Sequence, residues 1–186
     1  MGFKNKSPKG HRVFFALPVA IELANALEQW RAPWLLAGRW IPSKNFHLTL
    51  SFLGEVDDAA LDALMDVSFE GLRPFSLNFG RLGYFAKAQI LFVEPLECPN
   101  ELTLLANTCQ RWQQRWGSAK KETRYIPHIS LAREVTEPAP VADGPISITT
   151  RMNRVQLLES TPAKSGMHYQ ILQEWPLRPP LRPQPR

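Results

Sequence analysis

Apolar positions along the chain recur with two periods, and these predict strands alternating with helices. The predicted strands cover residues 12–17, 45–53, 75–79, 89–93, 125–133, 146–158 and 168–175, with Gly83 in a turn between the third and the fourth. The predicted helices cover residues 19–30, a segment capped by Asp57 or Asp58, and a segment running from Pro99 to Gly117. This mixed order of hairpins and crossovers favours an α+β fold with antiparallel sheets over a doubly wound parallel sheet.

The two ends of the chain differ in composition from the part between them. Residues 1–10 are polar and basic, and residues 176–186 are rich in proline and arginine, so both predict disordered tails around one domain at 11–175. The net charge is +5, but the tails contribute six cations, which leaves 16 basic and 17 acidic residues between them. Attraction of a polyanion to the domain must therefore be local.

Other features of the sequence indicate a cytoplasmic protein that does not enter a membrane. The N-terminus lacks the apolar centre of a secretory signal, and no apolar run is long enough to span a bilayer. Cys98 and Cys109 are predicted to be free thiols, because Cys109 fits the buried face of the third helix.

Several large enzyme classes are excluded by missing motifs. The chain contains no Walker A loop, no dinucleotide-binding glycine pattern, no zinc-spaced Cys/His cluster and no Gly-x-Ser-x-Gly elbow. No cofactor and no metal is expected.

Two of the four histidines open the same tetrapeptide pattern, His47-Leu-Thr-Leu and His128-Ile-Ser-Leu. In an extended strand alternate side chains share a face. We therefore expect His47, Thr49 and Ser51 on a polar face, with Phe46, Leu48, Leu50 and Phe52 on the other. His128 and Ser130 likewise share a face, opposite Ile129 and Leu131.

An imidazole beside a hydroxyl forms half of a phosphate site, because the hydroxyl donates to a phosphoryl oxygen while the imidazole transfers a proton. Two such halves supply the acid and the base that phosphodiester transfer requires, without a metal. Arg133 is the candidate for stabilising charge on the phosphate. Strict alternation places it opposite His128, so it reaches the site only through a bulge or at the strand end.

At these residues the chain resembles the 2H phosphoesterase superfamily, and most of all its bacterial LigT branch of RNA 2′,3′-cyclic phosphodiesterases, also called 2′-5′ RNA ligases. The resemblance rests on residues 12–18, 45–56 and 127–133. It implies two lobes, each an antiparallel sheet with helices on its outer face, and a cleft between them. It also implies metal-independent conversion of cyclic phosphate RNA ends to 2′-phosphate ends, with reverse joining to a 5′-hydroxyl as a second reaction.

The resemblance further implies a role for each site residue. His47 is the proton donor, His128 the proton acceptor, and Thr49, Ser130 and Arg133 bind substrate. The expected partners are RNA ends carrying a cyclic phosphate, with tRNA halves as a candidate, and the expected state is a monomer.

Two alternatives stay open at this point. One is the same chemistry on a small cyclic nucleotide or an ADP-ribose cyclic phosphate, and the other is a noncatalytic RNA-binding module. Outside the motifs, His11 is interpreted as a flexible tail residue and His168 as solvent-exposed. Phe14, Trp40 and Tyr125 are candidates for base stacking, although packing is favoured for each.

Overall fold

In the computed structural model, which describes residues 10–120, 124–136, 146–163 and 166–179, the chain forms an α+β fold around one antiparallel sheet. The strands are β1 His11–Pro18, β2 Arg39–Trp40, β3 His47–Val56, β4 Phe75–Phe85, β5 Ile90–Pro95, β6 Ile129–Arg133, β7 Ile148–Met152, β8 Arg154–Ala163 and β9 Gly166–Pro176. The helices are α1 Ile21–Arg31, α2 Asp58–Met65 and α3 Asn100–Trp116. The Asp57 side chain caps α2 by accepting from the Ala60 N–H at 2.8 Å, which settles the choice left open between Asp57 and Asp58.

The sheet has two lobes that meet at a narrow junction. The strand order is β7-β4-β5-β6-β3-β1-β8-β9, and β2 pairs with β6. We call β1, β3, β8 and β9 the first lobe, and β2, β4, β5, β6 and β7 the second. At the junction β3 and β6 share a single pair, Leu48 with Ile129.

One face of the sheet packs against the helices. Alternate residues of β1, namely Val13, Phe15 and Leu17, join Leu27 of α1 and Leu105 of α3 in the main core. The intervening side chains of β1 lie on the opposite face, where Phe14 and Ala16 pack with Leu158 in a smaller cluster. That second face carries the cleft described below.

Several predicted boundaries were wrong. Gly83 lies inside β4, opposite Phe92 of β5, rather than in a turn. The Phe92 ring covers this glycine, and a Cβ at Gly83 would lie 2.3 Å from the ring. Residues 125–128 precede β6 instead of belonging to it, and the segment 146–158 divides at Asn153 into β7 and β8.

The ends of the domain also differ from the prediction where they are described. His11 begins β1 and bonds Glu159 and Asp58, so it is not a tail residue. Pro176 pairs with Arg154 and Leu177 is buried, so the ordered chain continues past the predicted boundary at 175. Residues 1–9 and 180–186, which contain most of both predicted tails, lie outside the described residues.

Two further predictions concern cysteines and membranes. Cys98 and Cys109 are free thiols, as predicted, and burial raises the pKa of the Cys109 thiol. In the described part of the chain, no helix has the length and apolar character needed to cross a bilayer.

Candidate active site

The five residues singled out by the paired motif line one cleft of about 620 Å³ on the second face of the sheet. They are His47, Thr49, His128, Ser130 and Arg133. The pairing of Leu48 with Ile129 explains this convergence, because each of these two residues directly follows one of the histidines. Since β3 and β6 run antiparallel, the register brings His47 to the level of Ser130 and Thr49 to the level of His128.

Both imidazoles are oriented by the same local hydrogen bond. Nδ1 of His47 lies 2.8 Å from the Asn45 carbonyl oxygen, and Nδ1 of His128 lies 2.8 Å from that of Ile126. A carbonyl oxygen only accepts, so Nδ1 carries the hydrogen in both rings. In the neutral form Nε2 is then the atom that takes up a proton.

The electrostatic environment of His47 favours its neutral form. Burial is the largest cause, and it lowers the pKa of His47 to about 4 against the opposing effect of the Asn45 carbonyl. The charges of His128 and Arg133 lower this pKa further, because both lie near the imidazole.

Each imidazole also contacts two aromatic rings, and of these four rings only Phe14 is considered from the sequence, as a candidate for base stacking. Phe14 and Tyr169 contact His47, with ring centroids 4.9 and 5.0 Å away. Phe85 and Phe92 contact His128, each at 5.1 Å. The only sequence signal for them is strand alternation, which places Phe14 on the face opposite Phe15, and this says nothing about a distant histidine.

Arg133 reaches the cleft through a bulge in β6. Phe92 of β5 opposes Ser130, and the preceding Leu91 opposes Ala132, so Leu131 is an extra residue in β6. The extra residue reverses the alternation, and Arg133 emerges on the same face as Ser130. From the sequence, Arg133 is expected to reach the site only through a bulge or at the strand end, and β6 contains such a bulge.

A comparable bulge in β3 contradicts part of the predicted polar face. Thr49 opposes Ala16, whereas Ser51 opposes Phe15, so Leu50 is the extra residue. Ser51 still lines the cleft, but it opposes Phe15 of the main core, and its buried hydroxyl has no hydrogen-bond partner among the described residues. Phe52, which strict alternation placed on the opposite face, also lines the cleft and packs beside Phe14.

Thr49 and Ser130 keep the positions predicted for them. Both line the cleft, one from each lobe, and neither hydroxyl forms a hydrogen bond to another described residue. The Tyr125 hydroxyl donates to the backbone carbonyl of Thr49 at 3.1 Å, which supports this part of β3.

The remaining candidates have other environments. His168 is exposed on β9, as predicted. Trp40 packs against the guanidinium of Arg31, and Phe14 is buried against His47, so packing was correctly favoured over base stacking for both.

Comparisons with known proteins agree over most of the chain. The family model of the 2′-5′ RNA ligase superfamily matches residues 18–161. The RNA 2′,3′-cyclic phosphodiesterase of Escherichia coli K12 is 28% identical over 169 residues, covering 89% of this chain and 96% of that protein. The enzyme of the same name from Bacillus subtilis 168 is 30% identical over 132 residues, covering 66% and 71%.

A solved structure gives the same result. The crystal structure of E. coli LigT complexed with 3′-AMP superimposes with a TM-score of 0.82 at 26% identity, covering 91% of this chain and 99% of that one. The residues matched by the family model include both motifs, at His47 and at His128. The chain belongs to the 2′-5′ RNA ligase superfamily, the 2H phosphoesterases.

Proposed function

We propose that this protein is an RNA 2′,3′-cyclic phosphodiesterase that converts cyclic phosphate ends of RNA to 2′-phosphate ends. The activity is supported by relatives of that name that align over most of their length. The observation that carries the mechanism is the pair of similarly oriented imidazoles that line one cleft from two lobes.

The two histidines divide the proton transfers of the reaction. Nε2 of His128 takes a proton from water as the water oxygen bonds to phosphorus. His47, in its protonated form, gives a proton to O3′ as the bond between phosphorus and O3′ breaks. The product carries a phosphate on O2′ and a hydroxyl on C3′, and no external oxidant or co-reactant is needed.

Hydroxyls and a guanidinium stabilise the charge that develops on phosphorus. Thr49 and Ser130 donate to the non-bridging oxygens from opposite sides of the cleft, and Arg133 supplies the positive charge. The same arrangement accepts a 5′-hydroxyl in place of water, and attack by that group gives a 2′-5′ linkage. tRNA halves that end in a cyclic phosphate are candidate substrates, and a monomer suffices because both lobes belong to one chain.

Product analysis tests this proposal directly. The protein is incubated with a short oligoribonucleotide ending in a 2′,3′-cyclic phosphate, and the end group is identified by ³¹P NMR and mass spectrometry. We expect a 2′-phosphate. A 3′-phosphate would contradict the assigned leaving oxygen, and absence of turnover with binding retained would favour the noncatalytic RNA-binding alternative.

A further inference from the structure

A second cation lies in the cleft at a distance from the histidines. Arg12 of β1 is exposed, lines the cleft, and places its guanidinium carbon 4.9 Å from the centre of the Phe52 ring. Phe52 occupies the cleft face because of the bulge at Leu50, and it packs beside Phe14 and Leu158. The protein thus presents a positive charge supported by an aromatic ring in the same cleft as the reactive centre.

The pairing of β1 with β3 gives the separation between Arg12 and the histidine. Pro18 opposes His47, whereas Phe14 opposes Phe52. Arg12 itself opposes Glu55, and the six residues of β1 between Arg12 and Pro18 correspond to about 20 Å of strand. The Arg12 guanidinium packs on Phe52, whereas Phe14 is the ring that contacts His47, so the charge lies on the far side of this aromatic cluster from a phosphate held at His47. That phosphate has its own cation in Arg133, whose charge acts on the imidazole.

Arg12 has no acidic partner among the described residues. Glu55 opposes it in the pairing of β1 with β3, but the two side chains form no ion pair. Arg39, a third arginine of the cleft, differs in this respect, because it bonds Glu134 at 3.1 Å. The charge of Arg12 is therefore available to an anion in the cleft.

We propose that Arg12, supported by Phe52, binds an internal phosphodiester of the RNA strand upstream of its cyclic end. This inference rests on the proposed function and narrows its substrate to an oligoribonucleotide rather than a cyclic mononucleotide. The cyclic phosphate occupies O2′ and O3′ of the terminal nucleotide, so a second phosphate bound at Arg12 is a phosphodiester on the 5′ side of that nucleotide.

The test compares substrates of increasing length. The kcat/KM of the wild type and of Arg12→Ala is measured on a nucleoside 2′,3′-cyclic phosphate and on di-, tri- and tetranucleotides with the same cyclic end. On the mononucleotide, which has no internal phosphodiester, the variant should remain within about twofold of the wild type. On the tetranucleotide it should lose about tenfold, mainly through KM, because a charge-assisted bond to phosphate is removed.

Two controls separate a contact from a general effect. Arg111→Ala removes an exposed arginine from α3, on the helix-covered face, and should change neither substrate. In the second control, neutral methylphosphonates replace the internal phosphodiesters of the tetranucleotide. The wild type should then lose the same factor, with no additional loss in Arg12→Ala.

The outcomes distinguish this inference from the proposed function. Equal effects of Arg12→Ala on mononucleotide and tetranucleotide, or no effect on either, would overturn the inference while leaving the activity intact. If Arg12→Ala does not fold, Arg12→Gln, which keeps a side chain of similar length without its charge, takes its place in the same comparison. Failure of the wild type on every substrate would instead reject the proposed function.

Discussion

The imidazole of His47 lies in an environment that opposes the role proposed for it. A proton donor must be protonated, yet burial and the nearby charges of His128 and Arg133 lower the pKa of His47 to about 4. A cyclic phosphate brings a negative charge into the cleft, and this charge favours the imidazolium. Binding of substrate therefore supplies the condition under which His47 can donate.

This coupling predicts a difference between two pH profiles. The kcat/KM profile reports the free protein and the kcat profile reports the complex, and both should be bell-shaped because one imidazole is protonated and the other neutral. Since the bound phosphate raises the pKa of His47, the acid limb of kcat should lie at higher pH than that of kcat/KM. Coincident acid limbs in steady-state kinetics from pH 4 to 9 would count against the coupling.

Single histidine variants test the residues themselves. His47→Ala and His128→Ala should each lower kcat by about 10²- to 10⁴-fold, because each removes one of the proton transfers. His168→Ala, at an exposed histidine of β9, is the matched control and should retain wild-type kcat. Circular dichroism checks that each variant is folded, and retention of full activity in either motif variant would refute its catalytic role.

At the scale of elements, strand irregularities decide which side chains enter the cleft. The extra residue in β6 brings Arg133 to the face of Ser130, and the one in β3 brings Phe52 to the cleft. Close packing between β4 and β5 has a similar effect, because the absence of a side chain at Gly83 lets the Phe92 ring lie across it and contact His128.

Gly83→Ala tests this packing. The added methyl would overlap the Phe92 ring, so we expect a loss of about 1–3 kcal/mol in the free energy of unfolding. Displacement of the ring from His128 should also lower kcat by about 10-fold. Urea unfolding and steady-state kinetics measure the two effects. In a Phe92→Leu background the stability effect should fall below about 1 kcal/mol, and an undiminished effect would assign it to the backbone instead.

His11 links three elements through a pH-dependent contact. Its ring nitrogens lie 2.8 Å from Glu159 of β8 and 3.0 Å from Asp58 of α2. The hydrogen bond to Glu159 is the main cause that raises the pKa of His11 above its ordinary 6.5; burial opposes it, and Asp58 adds to it. Because the folded pKa is the higher one, this stabilisation is complete below pH 6.5 and is lost as the pH rises through the raised pKa.

His11→Ala should therefore destabilise the protein more in acid than in base. We expect about 1 kcal/mol at pH 5.5 and a clearly smaller value at pH 9 in urea unfolding, since the contact is partly exposed. His168→Ala provides the comparison and should have little effect at either pH. An equal loss for His11→Ala at both pH values would show that packing, rather than charge, is responsible.

At the scale of the molecule, the cleft exists because two lobes are joined at one pair of residues. Leu48 and Ile129 form that pair, and both are completely buried. The junction sets the two histidines on neighbouring strands, and no other pair of described residues joins β3 to β6. By the proposals above, the space so formed takes a phosphate at the junction and more of the RNA strand toward Arg12.

The mechanism assigned to this cleft uses only side chains, which predicts that a chelator has no effect. After dialysis against EDTA, kcat/KM on the cyclic oligoribonucleotide should stay within about twofold of the untreated protein. A parallel sample with added Mg²⁺ serves as the control. Loss of turnover that a divalent ion restores would require a different mechanism.

Local patterns in the sequence were sufficient for much of the fold and for the central residues of the site. Periodicity identified the principal elements, including the helix capped by Asp57, because strand and helix repeats depend on near neighbours along the chain. The repeated His-x-Thr/Ser-x pattern identified His47 and His128 as candidate site residues, although it did not indicate which residues contact their rings. The assigned proton transfers remain predictions for the variants above.

Tertiary structure alone decided the details of the cleft. Whether Ser51, Phe52 or Arg133 faces it depends on where an extra residue enters a strand, and that is set by the register with strands distant in sequence. The aromatic rings beside each imidazole likewise arise from pairings across the sheet, as does the lack of an ion pair at Arg12 among the described residues. The sequence by itself specified the chemical groups, and the sheet decided which of them share one cavity, because side-chain direction follows strand pairing as well as local alternation.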